Sequence, residues 1–287
     1  MTATYLVRLA DRSAIVRTVL CLGIDPELAA LPPGFHADAS GIERFAGLLV
    51  DAAAPHAAAV KINVAFFEAF GSAGIAALER VRAAIPREIP VILDAKRSDI
   101  GSTAARQAVA LFDALGADAI TVNPYLGGEA IGPLVGRPDR FAYVLCRTSN
   151  PGAGELQDLD VPPAGEAAPR EPLYVRVARR ARTWATPENI GLVVGATAPA
   201  ELEAVRHAAP ELAFLVPGVG AQGGDVDAVL AHGPVTDGPT GSRSGGGLLV
   251  NVSRGIAGAA LGEGREPLED RLAATAREWA ARLPVLG

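Results

Sequence analysis

Eight short apolar, β-rich runs recur along the chain, and between them lie alanine-rich stretches with helical spacing. The runs are Val19–Ile24, Ala59–Ile62, Val91–Leu93, Ala119–Val122, Ala142–Leu145, Gly191–Val194, Leu212–Val216 and Leu248–Val252. The helical stretches include Ile42–Ala54, Ala65–Ala84, Thr103–Leu115, Leu173–Trp184, Pro199–Ala208 and Asp225–Leu230. Strands that alternate with helices must run parallel, because each return to the same sheet edge needs a crossover. Eight such units can close into a (β/α)8 TIM barrel or lie open as a doubly wound sheet, and periodicity alone does not separate the two.

The placement of polar residues separates them. A barrel delivers functional side chains at the C-terminal end of every strand, whereas an open sheet gathers them at one switch point. Here polar residues follow strand after strand: Asp25, Lys61 with Asn63, Asp94 with Lys96, Asn123, Thr148 with Ser149, Gln222 and Arg254. A single barrel domain spanning residues 1–287 is therefore expected, a length ordinary for that fold.

A net charge of −6 argues against a protein that tracks nucleic-acid backbones, a task that needs a basic face. The start of the chain has no cationic segment followed by an apolar core, and no apolar run is long enough to span a bilayer, so a cytoplasmic protein without a membrane anchor is expected. Cys21 and Cys146 lie in apolar runs and are expected as small buried hydrophobes. His36, His56, His207 and His232 have no ligand spacing and are expected at surfaces or helix ends, so no metal site is expected. Two loops, Pro151–Pro172 and Gly223–Gly247, exceed what a connection needs. The second carries a Gly/Ser-rich run over 239–247 that reads equally as lid or as solvated linker.

The densest charge cluster follows the third run, where Asp94, Lys96, Arg97 and Asp99 stand within six residues. Charges at the end of a buried strand are costly unless paired. Side chains at i and i+2 of a strand share a face, so Asp94 and Lys96 point to the same side. Further on, Pro217–Gly224 and Ser253-Arg254-Gly255 occupy the loops after strands seven and eight, where barrels commonly bind phosphate. Glycines there admit backbone N–H groups to phosphate oxygens, and Arg254 offers a charged fork. Gly218, Gly220 and Gly223 also fit a dinucleotide fingerprint, but too little chain follows for such a domain.

The segment DAKRSDIGSTA, residues 94–104, resembles the signature of orotidine 5'-phosphate decarboxylase, in the bacterial longer-chain subgroup (type 2). Further similarities follow in order: CLGIDP at Cys21–Pro26, VKIN at Val60–Asn63, VNPYLG at Val122–Gly127, TSNPGA at Thr148–Ala153, PGVGAQGGD at Pro217–Asp225 and NVSRGI at Asn251–Ile256. Ser98 departs from the glycine more usual in that subgroup, and leaves the acid–base residues around it intact.

The resemblance implies conversion of orotidine monophosphate to UMP and carbon dioxide in pyrimidine biosynthesis, with no cofactor. It implies Lys96 as proton donor to the ring carbanion, within an array completed by Lys61, Asp94 and Asp99. It assigns Asp25 and Lys61 to the ribose hydroxyls, Ser149 to the pyrimidine amide, and Gln222 and Arg254 to the phosphate, with Pro217 among the substrate contacts and the loop from Gly223 closing over them. Asp99 and Thr103 would act in the partner's site, which implies a homodimer. Two rivals stay open: a magnesium-dependent decarboxylase or aldolase acting on a sugar phosphate, and a silent barrel that only binds a nucleotide.

Overall fold

A computed structural model describes residues 3–162, 170–220, 223–262 and 266–286. Eight parallel strands close into a barrel in sequential order: β1 (Leu20–Ile24), β2 (Ala59–Asn63), β3 (Val91–Arg97), β4 (Ala119–Val122), β5 (Phe141–Arg147), β6 (Ile190–Val194), β7 (Ala213–Val216) and β8 (Leu248–Val252). The seam is sealed by β1 on β8, with Cys21 opposite Asn251. The alternative of an open sheet is thereby excluded. The strands are buried on both faces because helices cover the outside and side chains fill the inside, which is why they read as continuous apolar runs.

Alternation along each strand sorts the side chains into two cores. Leu20, Leu22 and Ile24, with Val60, Ile62, Ile120 and Val122, point outward against the helices. Cys21, Ala59, Ile92, Ala119, Phe141, Tyr143, Ala213, Leu215 and Leu249 point inward. The helix Ala39–Ala53 shows how the outer layer is set. Its Asp38 cap accepts from the backbone N–H groups of Ser40 and Gly41, and Ile42, Phe45, Ala46, Leu49 and Val50 form its buried stripe.

Three of the structure's departures from the expected elements bear on how the barrel is built. The stretch Ala65–Ala84 divides into Ala65–Glu68 and Gly71–Ala84, because the chain turns at Gly71 with a positive φ of 57°. An additional helix, α1 (Tyr5–Val16), is capped by Thr4 and inserts Tyr5, Leu6 and Leu9 into the lower end of the barrel. Small residues at Ala58, Ala59, Ala119 and Ala213 leave it room. The Tyr5 ring lies 4.9 Å from Phe141, and its hydroxyl lies 3.2 Å from that of Tyr143. Arg8 of α1 pairs with Asp118, which also accepts from the Val91 backbone N–H at 2.9 Å.

The third departure is the Gly/Ser-rich run, which is neither lid nor linker. It packs beside α1 at the N-terminal end of the barrel, with Gly245, Gly246 and Gly247 buried and all at positive φ. A Cβ on Gly247 would lie 2.8 Å from Thr240 Cγ2, so side chains are excluded there by packing. Arg243 pairs with Glu188, which also accepts from Thr4. In the other long loop, Asp160–Val161 and Glu171–Pro172 form a small antiparallel ladder.

Both cysteines are buried thiols, and burial pushes Cys21 up to about 12. His36 and His207 are exposed, while His56 and His232 end helices, as expected. Among the described residues, no helix is long and apolar enough to cross a membrane.

Candidate active site

The inward parity that fills the barrel floor with alanine and aromatic side chains continues upward into charge. On β2 it runs from Ala59 to Lys61, on β3 from Ile92 to Asp94, on β4 from Ala119 to Thr121, and on β8 from Leu249 to Asn251. Two adjoining cavities open there. The larger, about 440 Å³, has an apolar side made by Leu145, Val193, Leu215 and Pro217, facing Lys61, Asp94, Lys96 and Thr121. The smaller, about 160 Å³, adds Asp25, Asn63, Gly218, Asn251, Ser253 and Arg254. Ser149 and Pro217 line both.

Charges alternate across the mouth. Lys61 Nζ lies 3.0 Å from Asp94 Oδ2 and 3.6 Å from Asp25 Oδ1, the second an ion pair too long for a hydrogen bond. Lys96 Nζ donates to Asp94 Oδ1 at 2.6 Å, and the Thr121 hydroxyl donates to the same oxygen at 2.8 Å. Lys61 is only 4% exposed. Burial opposes its charge, but Asp25 and Asp94 outweigh burial and hold it above the usual lysine range. Burial likewise opposes the Asp94 carboxylate, yet Lys61, Lys96 and the Thr121 hydroxyl together hold it below the usual carboxylate range. Lys61 and Asp94 therefore stay charged at neutral pH.

Lys96 reaches Asp94 through an irregularity in β3. Between the pairs Leu93–Ile120 and Arg97–Val122 the chain advances four residues on β3 but two on β4, so two extra residues bulge out. Lys96 sits in this bulge with φ 47°, in the left-handed region that a lysine rarely adopts. The two side chains do share a side, as the strand rule predicts. The bulge, and not regular pleating, aims the ammonium back at the carboxylate.

The expected residues divide into three groups. Asp25, Lys61, Asp94, Lys96, Ser149, Pro217 and Arg254 converge on the two cavities. Asp99 and Thr103 line neither: Asp99 accepts from the Ile100 backbone N–H, and Thr103 is exposed on the helix Gly101–Ala108. Gln222 lies outside the described residues. Asn123, at the end of β4, turns aside to accept from the Tyr125 backbone N–H.

Sequence reasoning missed Thr121 and Asn251 as site residues, and named Ser253 only as part of the expected phosphate loop. Thr121 and Asn251 stand inside apolar runs, and the signal that could have found them is parity: each lies two residues after an inward-facing apolar residue. Asn251 is 7% exposed, and its amide oxygen and the Ser253 hydroxyl are both buried without a hydrogen-bond partner among the described residues. Such groups are costly to bury unless something satisfies them. Among the described residues, no three His, Cys, Asp or Glu side chains are grouped to hold a metal ion.

Known proteins resemble this chain in sequence and in fold. The family described as Orotidine 5'-phosphate decarboxylase / HUMPS matches residues 18–265. The orotidine 5'-phosphate decarboxylase of Thermomicrobium roseum is 48% identical over 250 residues, covering 87% of this chain and 85% of that protein. Among solved structures, the OMP decarboxylase of Leishmania donovani is 40% identical with a TM-score of 0.81, over 97% of both chains. The UMP synthase of the same organism gives a TM-score of 0.82 at 40% identity, over 98% of this chain and 56% of its own. With the family match spanning most of the barrel and the charged mouth built as described, the chain belongs to the orotidine 5'-phosphate decarboxylase family.

Proposed function

We propose that this chain, as one barrel domain in the cytoplasm, converts orotidine 5'-phosphate to UMP and carbon dioxide, with Lys96 supplying the proton. The observation that carries this reading is the alternating row Asp25, Lys61, Asp94, Lys96 facing an apolar wall of Leu145, Val193, Leu215 and Pro217. When the carbon–carboxylate bond breaks, its electron pair remains on the ring carbon and carbon dioxide departs. The Lys96 ammonium then gives its proton to that carbon, and the neutral amine recovers one from water.

Asp94 keeps the Lys96 ammonium aimed, because its carboxylate is fixed by Lys61 from behind and by Thr121 from the side. Two unit charges at ~4 Å interact by about 4 kcal/mol at an effective dielectric near 20, against the ~8–23 kcal/mol that enzymes typically remove from a barrier. The array therefore supplies part of the rate, and binding of the remote phosphate supplies more. Arg254 and the backbone around Gly218 and Gly255 suit a phosphate, Asp25 and Lys61 suit ribose hydroxyls, and Ser149 stands where a pyrimidine amide would rest. Against a magnesium-dependent rival, the Lys61 ammonium already occupies the point between Asp25 and Asp94 where a divalent ion would have to sit.

Asp99 and Thr103 complete the site in this reading by reaching into a partner's cavity, which makes the working unit a homodimer. The test is loss of orotate absorbance on mixing the protein with orotidine monophosphate in the presence of a chelator. Turnover that chelation leaves intact, and that Lys96→Ala lowers by about 10²–10⁴-fold or more, supports the reading. No absorbance change with the wild-type chain would sink it. For the shared site, mixing Lys96→Ala with Asp99→Asn subunits should restore roughly a quarter of wild-type activity, since one site of each hybrid dimer is intact. No recovery would confine Asp99 to its own subunit.

A further inference from the structure

The left-handed backbone at Lys96 needs something to hold it, and Thr121 is the residue that does. The Lys96 backbone N–H donates to Thr121 Oγ1 at 3.0 Å, and that hydroxyl gives its single proton to Asp94 Oδ1 at 2.8 Å. Asp94 Oδ1 is the same oxygen that receives Lys96 Nζ. One hydroxyl thus ties the main chain of the lysine to the carboxylate that receives its side chain. Neighbouring contacts brace the bulge from outside. The Arg97 carbonyl accepts from Asn123 at 2.9 Å, the Asp94 carbonyl accepts from Val64 at 3.3 Å, and the Arg97 guanidinium pairs with Glu68. These hold the flanks, while among the described residues only Thr121 bonds both the Lys96 main chain and the Asp94 carboxylate.

We propose that Thr121 is a positioning residue for the proton transfer, setting the place and direction of the Lys96 ammonium through its backbone and through Asp94. A valine would suit the strand and the packing equally well, so only the hydroxyl distinguishes threonine here. The proposal rests on the reading of Lys96 as proton donor.

Thr121→Val, Thr121→Ala and Thr121→Ser, compared with the wild-type chain, test it by two readouts: turnover of orotidine monophosphate, and hydrogen exchange at the Lys96 amide. Thr121→Val should lower kcat about 10²-fold, the order of loss that a displacement near 1 Å produces, while KM stays within about threefold. The Lys96 amide should exchange faster in Thr121→Val and Thr121→Ala. Thr121→Ser, which restores the hydroxyl, should return both readouts toward wild type. Because Thr121→Ala removes the hydroxyl without adding branched bulk, it stands in should Thr121→Val fail to fold. Unchanged exchange at Lys96, or a kcat within threefold of wild type in the hydroxyl-free variants, would overturn the clamp. A wild-type chain with no turnover would overturn the reading of Lys96 instead, and amide exchange would still decide the clamp.

Discussion

Gly23 lies diagonally across the seam between β1 and β8 from Asn251, so closely that a Cβ on Gly23 would lie 2.9 Å from the Asn251 amide oxygen. The same Cβ would lie 2.7 Å from Ser253 Cβ. Absence of a side chain at Gly23 is what lets the unpartnered amide and hydroxyl stand in the smaller cavity. Gly23→Ala should displace both and raise KM for orotidine monophosphate by about tenfold, with a smaller change in kcat, as expected when uniform binding is lost. Steady-state kinetics decide it, and an unchanged KM would remove Asn251 and Ser253 from substrate contact.

Asp94→Asn should destabilise the chain by about 3–5 kcal/mol at neutral pH, because it leaves the Lys61 ammonium buried against a neutral amide. The pH dependence has a definite sign. Asp94 is held below its unfolded value, so its contribution is present above that value, near ~3.9, and is lost as pH falls through the folded value. Lys61 is held above its unfolded value, so its contribution is complete below ~10.4 and is lost as pH rises through the folded value. Urea unfolding across pH should show both limbs in the wild type and a weakened acid limb in Asp94→Asn. Equal stability of the two proteins at pH 7 would contradict the buried Lys61–Asp94 pair.

Leu9→Ala should cost about 2–5 kcal/mol, the range for emptying a buried leucine site. Leu9 enters the barrel floor from α1, at the opposite end from the charged mouth. Turnover by the fraction that remains folded should therefore match wild type. Denaturant unfolding and kinetics on the same preparation check both statements, and a change of less than 0.5 kcal/mol, the scale of an ordinary surface substitution, would show that α1 does not plug the barrel.

The parts of this protein legible in the sequence are those set by neighbours along the chain. Strand and helix positions follow from side-chain periodicity, and seven of the expected site residues converge because the end of a parallel strand in a closed barrel always faces the same mouth. Thr121 and Asn251 were hidden because the run itself does not say which of its two parities faces inward, and parity locates them only once the closed barrel has fixed that face. The role of the run over 239–247 was illegible for a related reason: glycine and serine suit a solvated linker as well as a tight packed turn, and only contact with α1 and β7 distinguishes them.

The sequence by itself determined an alternation of parallel strands and helices with charges at the strand ends, because periodicity and turn chemistry act over a few residues. Only the tertiary structure decided that the chain closes with β1 against β8, that α1 fills the floor, and that a two-residue bulge aims Lys96 at Asp94. Those outcomes depend on contacts between residues far apart in the chain, whose packing no local pattern records.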